Sequence, residues 1–265
     1  MGPSSARSSG RAPSTYRSGE SDDTMGNLGI GAETMASPQD GTERTVSAFA
    51  QALSEYQTAF NGTWPETSAP EALRFVVLDC ETTGLDPRRD RIVSIGAVAV
   101  TGGEIDLGDT FEALLRVLHN TAATLVHGIT RDETREGIGE DEALAGLLRY
   151  LQDGVIVGHH IGHDLAMIDA ALERQGAPGL LNRRLDTGEL ALLLEADGAL
   201  TGRQPLQDLS LDGLCRHFEI VPYDRHTAPG DAFLTAQILL RMLRLAARHG
   251  RPTLADLLEK PTAPE

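Results

Sequence analysis

Four carboxylates and one imidazole carry the chemistry this sequence can support. Asp79-Cys80-Glu81 closes the apolar run FVVLD at 75–79. Along a strand, residues i and i+2 share a face, so both acids point the same way. Two carboxylates placed like this repel each other, and a cation between them relieves the repulsion. Hard oxygen ligands at this density suit Mg2+ or Mn2+ rather than Zn2+. Thr82-Thr83-Gly84 then forms a tight turn whose backbone can approach a ligand closely. Alone, D-x-E is an ordinary acidic strand end, and two further acids change that reading. Asp164 opens a helix directly after the buried strand VIVGHH at 155–160. Asp231 opens the last helix, and His226 lies five residues before it in the loop HTAPGD. Helix-start carboxylates are common, and loop histidines are usually solvated, so each is weak alone. Together they place four acids and one histidine at the ends of core elements.

The elements that must hold these groups follow from periodicity. FVVLD is a short buried strand, RIVSIGAVAV at 91–100 a second, and Thr101-Gly102-Gly103 turns the chain into a third that DTFEALL at 109–115 extends. Residues 141–152 form a helix with Leu144, Leu147, Leu148 and Leu151 on one face, a further helix runs from Asp164 to Arg174, another covers 209–218, and the last starts near Gly230. A hairpin followed by strands alternating with helices predicts an α/β mixed sheet with helices on both sides. Before it, Val46, Phe49, Leu53, Tyr56 and Phe60 line one face of an amphipathic helix over 43–62, which either packs on the main domain or docks a second copy or another protein. Residues 63–72 read as a linker, 73–250 as the main domain and 251–265 as a C-terminal tail.

Half of residues 1–40 are Ser, Gly, Pro or Thr, so 1–42 reads as a disordered tail. A net charge of −16 argues against coating duplex nucleic acid through a broad basic face. It leaves room for a small site acting on a chain end, where few phosphates are held and bound cations offset the protein's charge. Cys80 and Cys215 are too few for a disulfide framework and lack C-x-x-C spacing. With no apolar leader and no long apolar run, the expected location is cytoplasmic, without a membrane.

FVVLDCETTGLDPRRDRIVSIGAVAV, GHHIGHDLAMI and HTAPGDAFLTAQILL resemble, in that order, the three motifs of the DnaQ-like DEDDh 3′–5′ exonucleases, which include polymerase proofreading subunits. VHGIT at 126–130 and LDT at 185–187 are similar to further signatures of that family. The resemblance covers 73–246 and implies a ribonuclease-H-like fold, two Mg2+ or Mn2+ ions, and release of nucleoside monophosphates from single-stranded 3′ ends, with DNA favoured over RNA. It implies that Asp79, Glu81, Asp164 and Asp231 bind the metal and that His226 is the general base. It further implies that Thr82, Leu85 and His127 meet the terminal nucleotide. Two departures touch the second motif, where His160 and His163 replace the family's Asn and Phe. A third is Ala122, which stands where a glutamate often precedes the VHGIT histidine. Asp186 reads as a structural turn residue. The rival readings are a 3′ exoribonuclease and a non-catalytic, polymerase-associated interaction subunit. A polymerase subunit, or self-association through residues 46–60, is the partner expected besides the nucleic-acid end.

Overall fold

A computed structural model describes residues 47–60, 66–117, 129, 134–200, 206 and 208–260. The expected tail at 1–42, His127 and Ala122 lie outside the described residues. Five strands form one sheet: β1 (Arg74–Thr82), β2 (Ile92–Thr101), β3 (Glu104–Leu114), β4 (Val155–Gly158) and β5 (Arg184–Asp186). Their order is β3-β2-β1-β4-β5. β1 runs antiparallel to β2 and parallel to β4, and β5 is parallel to β4. The helices are α1 (Ala48–Ala59), α2 (Glu140–Leu151), α3 (Gly162–Arg174), α4 (Thr187–Ala196), α5 (Leu211–His217), α6 (Ala228–Arg248) and the short α7 (Leu254–Leu257). This is the mixed sheet flanked by helices that the alternation of elements predicts. None of the described helices is long and apolar enough to cross a membrane.

The central strands are apolar throughout because both of their faces are covered. β2 is buried along all but its last residue, whereas the edge strand β3 is largely accessible. Phe75 and Val77 of β1 join the core formed with α4, α5, α6 and α7. Val76 and Leu78, one residue out of phase, join the core formed with α2 and α3 on the other face. The 21-residue helix α6 buries Leu234, Ile238, Leu239, Met242 and Ala246. Thr227 caps it by accepting a hydrogen bond from the Gly230 amide, and Pro229 occupies its first turn.

Several local expectations differ from what is observed. α1 begins at Ala48, where the Ser47 hydroxyl accepts from the Ala50 amide at 3.1 Å. Its apolar stripe turns inward: Tyr56 is buried, and Phe49, Leu53 and Phe60 pack on the chain's own core. Glu55 on its flank pairs with Arg149 of α2 at 2.9 Å. Of the alternatives for this stripe, packing on the main domain is seen over its described part, with Phe49, Leu53 and Phe60 partly buried. The segment read as a linker contains a 3-10 turn at Pro70–Ala72. The carbonyls of Glu66 and Ser68 accept hydrogen bonds from Ala255 and Leu254. The segment read as a C-terminal tail holds α7, closed by a Thr253–Asp256 capping box, with Leu254 and Leu257 buried. α4 and the three-residue β5 have no counterpart in the sequence reading.

Candidate metal centre

The odd-numbered residues of β1 form one row. Phe75 and Val77 bury that row beneath α6, and Asp79 and Glu81 continue it past the apolar core. Cys80 points the other way and packs on the opposite core. Asp231 comes to the row from the first turn of α6, where it is buried. One oxygen from each of Asp79, Glu81 and Asp231 lies within 4.8 Å of the other two. The approach depends on Gly96, which pairs with Asp79 across the β1–β2 ladder. A Cβ at Gly96 would overlap the backbone of Ala228 and Pro229, so only a glycine lets α6 start this close to the sheet.

Asp164 arrives from the first turn of α3 and is buried. Its Oδ1 accepts the Cys80 amide at 2.9 Å, which fixes it beside β1 between the two strand acids. It stands outside the three-carboxylate group, but its charge bears on that group. Burial, then the charges of Asp164, Asp231 and Glu81, holds the Asp79 carboxyl well above the usual carboxylate range. Burial, followed by Asp231 and Asp164, pushes Glu81 up to about 7. Burial likewise lifts Asp164 to about 7, against backbone amides that favour its charged form. Such mutual repulsion within an all-oxygen donor set fits a hard divalent cation, which would stabilise the ionised acids.

His226 stands apart from the group. It is exposed, in the loop before α6, with a left-handed backbone at φ 63°. Its positive form acts on Asp212 in the first turn of α5. Thr82 ends β1 and Leu85 lies in the turn directly after it; the Thr82 hydroxyl donates to the Gly84 carbonyl at 2.9 Å, and Leu85 is 82% exposed. Asp186 is structural. It accepts from the Gly188 amide at 2.7 Å to cap α4, and from the Ile161 amide at 3.0 Å to secure the turn that leads into α3. His159, in that turn, meets the Thr187 hydroxyl through Nδ1 at 3.0 Å, and burial lowers it to about 4. No histidine among the described residues joins the metal-ligand group.

Two residues with a direct part in this geometry escaped the sequence reading. Gly96 carried a signal, since a glycine inside an apolar strand marks a close approach of backbone. Arg225 carried none. Its Nη1 pairs with Asp231 and its Nε donates to Asp212 at 2.7 Å, and its charge opposes the upward shift of both Asp79 and Glu81.

Residues 76–239 match the RNase T exonuclease family model, more than half of the chain. The chain belongs to the exonuclease family. This exonuclease-family chain is 30% identical over 185 residues to DNA polymerase III PolC-type of Thermotoga maritima and 32% identical over 182 residues to that of Bacillus subtilis (strain 168). The alignments take in 69% and 66% of the chain but span only 13% and 12% of those polymerases. Among solved structures, E. coli Exonuclease I in complex with a dT13 oligonucleotide matches with a TM-score of 0.59 at 19% identity, over 66% of this chain and 42% of that one. The zinc-bound form of the E. coli ExoI–ssDNA complex matches with a TM-score of 0.58 at 22% identity, over 68% and 41%. These likenesses are of fold, and the fold is that of the DnaQ-like exonucleases.

Proposed function

We propose that this chain is a metal-dependent 3′→5′ exonuclease that removes nucleoside monophosphates from single-stranded 3′ ends, with DNA the favoured substrate. The observation that carries the reading is the convergence of Asp79 and Glu81 from β1 with Asp231 from α6, within 4.8 Å of one another. Asp79, Glu81 and Asp231, joined by Asp164, are the residues that would hold two Mg2+ or Mn2+ ions. Such ions, when bound, shield the phosphate, acidify a water and stabilise the leaving oxygen.

The chain's own groups supply the rest. His226 takes the proton of the attacking water, a task suited to an imidazole near neutral pH. Its loop position is exposed, so water reaches the ring. Leu85, projecting from the turn after β1, gives an apolar surface for the terminal base, and Thr82, at the end of β1, lies beside the terminal sugar. His127 takes the role of a contact to the terminal nucleotide. Membership of the exonuclease family, and a fold shared with a protein solved with dT13, support the choice of single-stranded DNA. Likeness to DNA polymerase III PolC-type supports a DNA polymerase subunit as partner, in a cytoplasmic setting.

The test is a 5′-labelled single strand incubated with purified protein. Stepwise shortening from the 3′ end in Mg2+, absent in EDTA, is expected, and faster on DNA than on a matched RNA. A strand left intact in Mg2+ and in Mn2+ contradicts the reading, and faster RNA hydrolysis reverses the substrate preference.

A further inference from the structure

We propose that Arg225 is the resident counter-cation of the carboxylate cluster: it holds Asp231 while no metal is bound and gives up that contact when a divalent ion enters. The inference rests on the metal-dependent reading above and concerns the chain's own charge beside the carboxylates.

The guanidinium is held at two points. Nη1 pairs with Asp231, a member of the three-carboxylate group. Nε donates at 2.7 Å to Asp212, which lies in the first turn of α5 and outside that group. The inner contact can therefore break while the outer one keeps the side chain in place. The pair is sheltered, with Arg225 20% and Asp231 11% exposed, so a unit charge there acts with little screening. Its field reaches Asp79 and Glu81 as well as Asp231. Without such a charge, acids from β1, α3 and α6 would face one another in a half-buried space. A guanidinium and a divalent cation on the same carboxylate repel each other, so the two compete for Asp231.

The backbone around Arg225 is built to keep it there. Asp224 and His226, on either side, have φ of 55° and 63°, a region non-glycine residues occupy only when held. The Thr227 hydroxyl donates to the Asp224 carbonyl at 2.8 Å. A Cβ at Gly230 would overlap that same carbonyl, so the loop lies directly on the start of α6. A simple strut between α5 and α6 would need the same contacts, but it would be indifferent to metal.

Metal affinity separates the two roles. Mn2+ is titrated calorimetrically into the full chain, stripped with EDTA and without nucleic acid, for the wild type, Arg225→Gln and Arg225→Lys. Arg225→Gln is expected to bind Mn2+ on the order of ten-fold more tightly, the effect of removing one nearby like charge. Its metal-free melting temperature is expected to fall and to meet that of the wild type at saturating Mn2+. Arg225→Lys, which keeps the charge but loses the fork that spans both acids, is expected to fall between the two; it carries the test if the glutamine variant does not fold. Equal or weaker Mn2+ binding by the variants overturns the proposal and leaves Arg225 a strut. Absence of Mn2+ binding by the wild type sinks the metal-dependent reading and this proposal with it.

Discussion

Gly96 faces Asp79 across the β1–β2 ladder, and the space its missing side chain leaves is filled by the backbone of Ala228 and Pro229 at the start of α6. One backbone contact thus sets the distance between the strand acids and Asp231. Gly96→Ala is expected to push α6 away from the sheet. Overpacking of this kind costs about 1–3 kcal/mol, and the cluster should lose Mn2+ affinity beyond what the stability loss explains. Calorimetric Mn2+ titration of the folded variant checks this, and wild-type affinity would show that α6 has another way to reach the strand.

Stability of the metal-free protein should fall as pH rises from mildly acid to neutral. Glu81 titrates at about 7 in the folded chain against 4.5 as its ordinary value, and Asp164 at about 7 against 3.8. Within that window the folded state holds more protons than the unfolded one, so the slope of stability against pH is negative. The favourable contribution is fully present below the ordinary values and is lost as pH passes through about 7. Melting temperatures in EDTA across this range should decline, less so for Glu81→Gln, and saturating Mg2+ should flatten the decline. A wild-type slope equal to that of Glu81→Gln would remove the strand acid from the account.

His226→Ala should lower turnover by about 10²–10⁴-fold, the usual size of general-base assistance, while Mn2+ affinity stays near wild type because the imidazole is outside the carboxylate group. Single-turnover hydrolysis of a labelled strand reads the first quantity and calorimetry the second. Unchanged turnover would assign the proton to another acceptor.

Tyr56 ties α1 to the rest of the domain. Its hydroxyl donates to the Asn182 side-chain oxygen at 2.5 Å and accepts from the Leu181 amide at 2.7 Å. Burial pushes its own ionisation up to about 12, so it stays neutral. Tyr56→Phe leaves both partners without it, at a cost of about 1–3 kcal/mol, with activity per folded molecule unchanged. Denaturant unfolding measures the first, and an activity loss larger than the folded fraction would implicate α1 in the site.

How far the site was legible varies with the range of the interaction concerned. The row Phe75, Val77, Asp79, Glu81 follows from the two-residue period of a strand, which is local. So is the helix start that carries Asp231. That the rows meet is not local; it turns on Gly96 and on where α6 crosses the sheet. Arg225 is of the same kind, since its partners belong to two helices and nothing in the surrounding residues marks it. α4 was missed because its leucines fall on successive positions, Leu192, Leu193 and Leu194, and give little helical period. β5 is three residues long and offers no pattern. The helix behind the Thr253–Asp256 capping box is four residues long, too short to show a helical period. The stripe on α1 was plain, but periodicity alone does not say which surface covers it.

The central claim is that Asp79, Glu81 and Asp231 together hold a divalent cation. Anomalous diffraction from crystals soaked in Mn2+, for the wild type and Asp79→Asn, tests it most directly. A strong peak bounded by these three carboxylates is expected in the wild type, lost or much weakened in the variant. Mn2+ bound only elsewhere, or a peak untouched by Asp79→Asn, would contradict it.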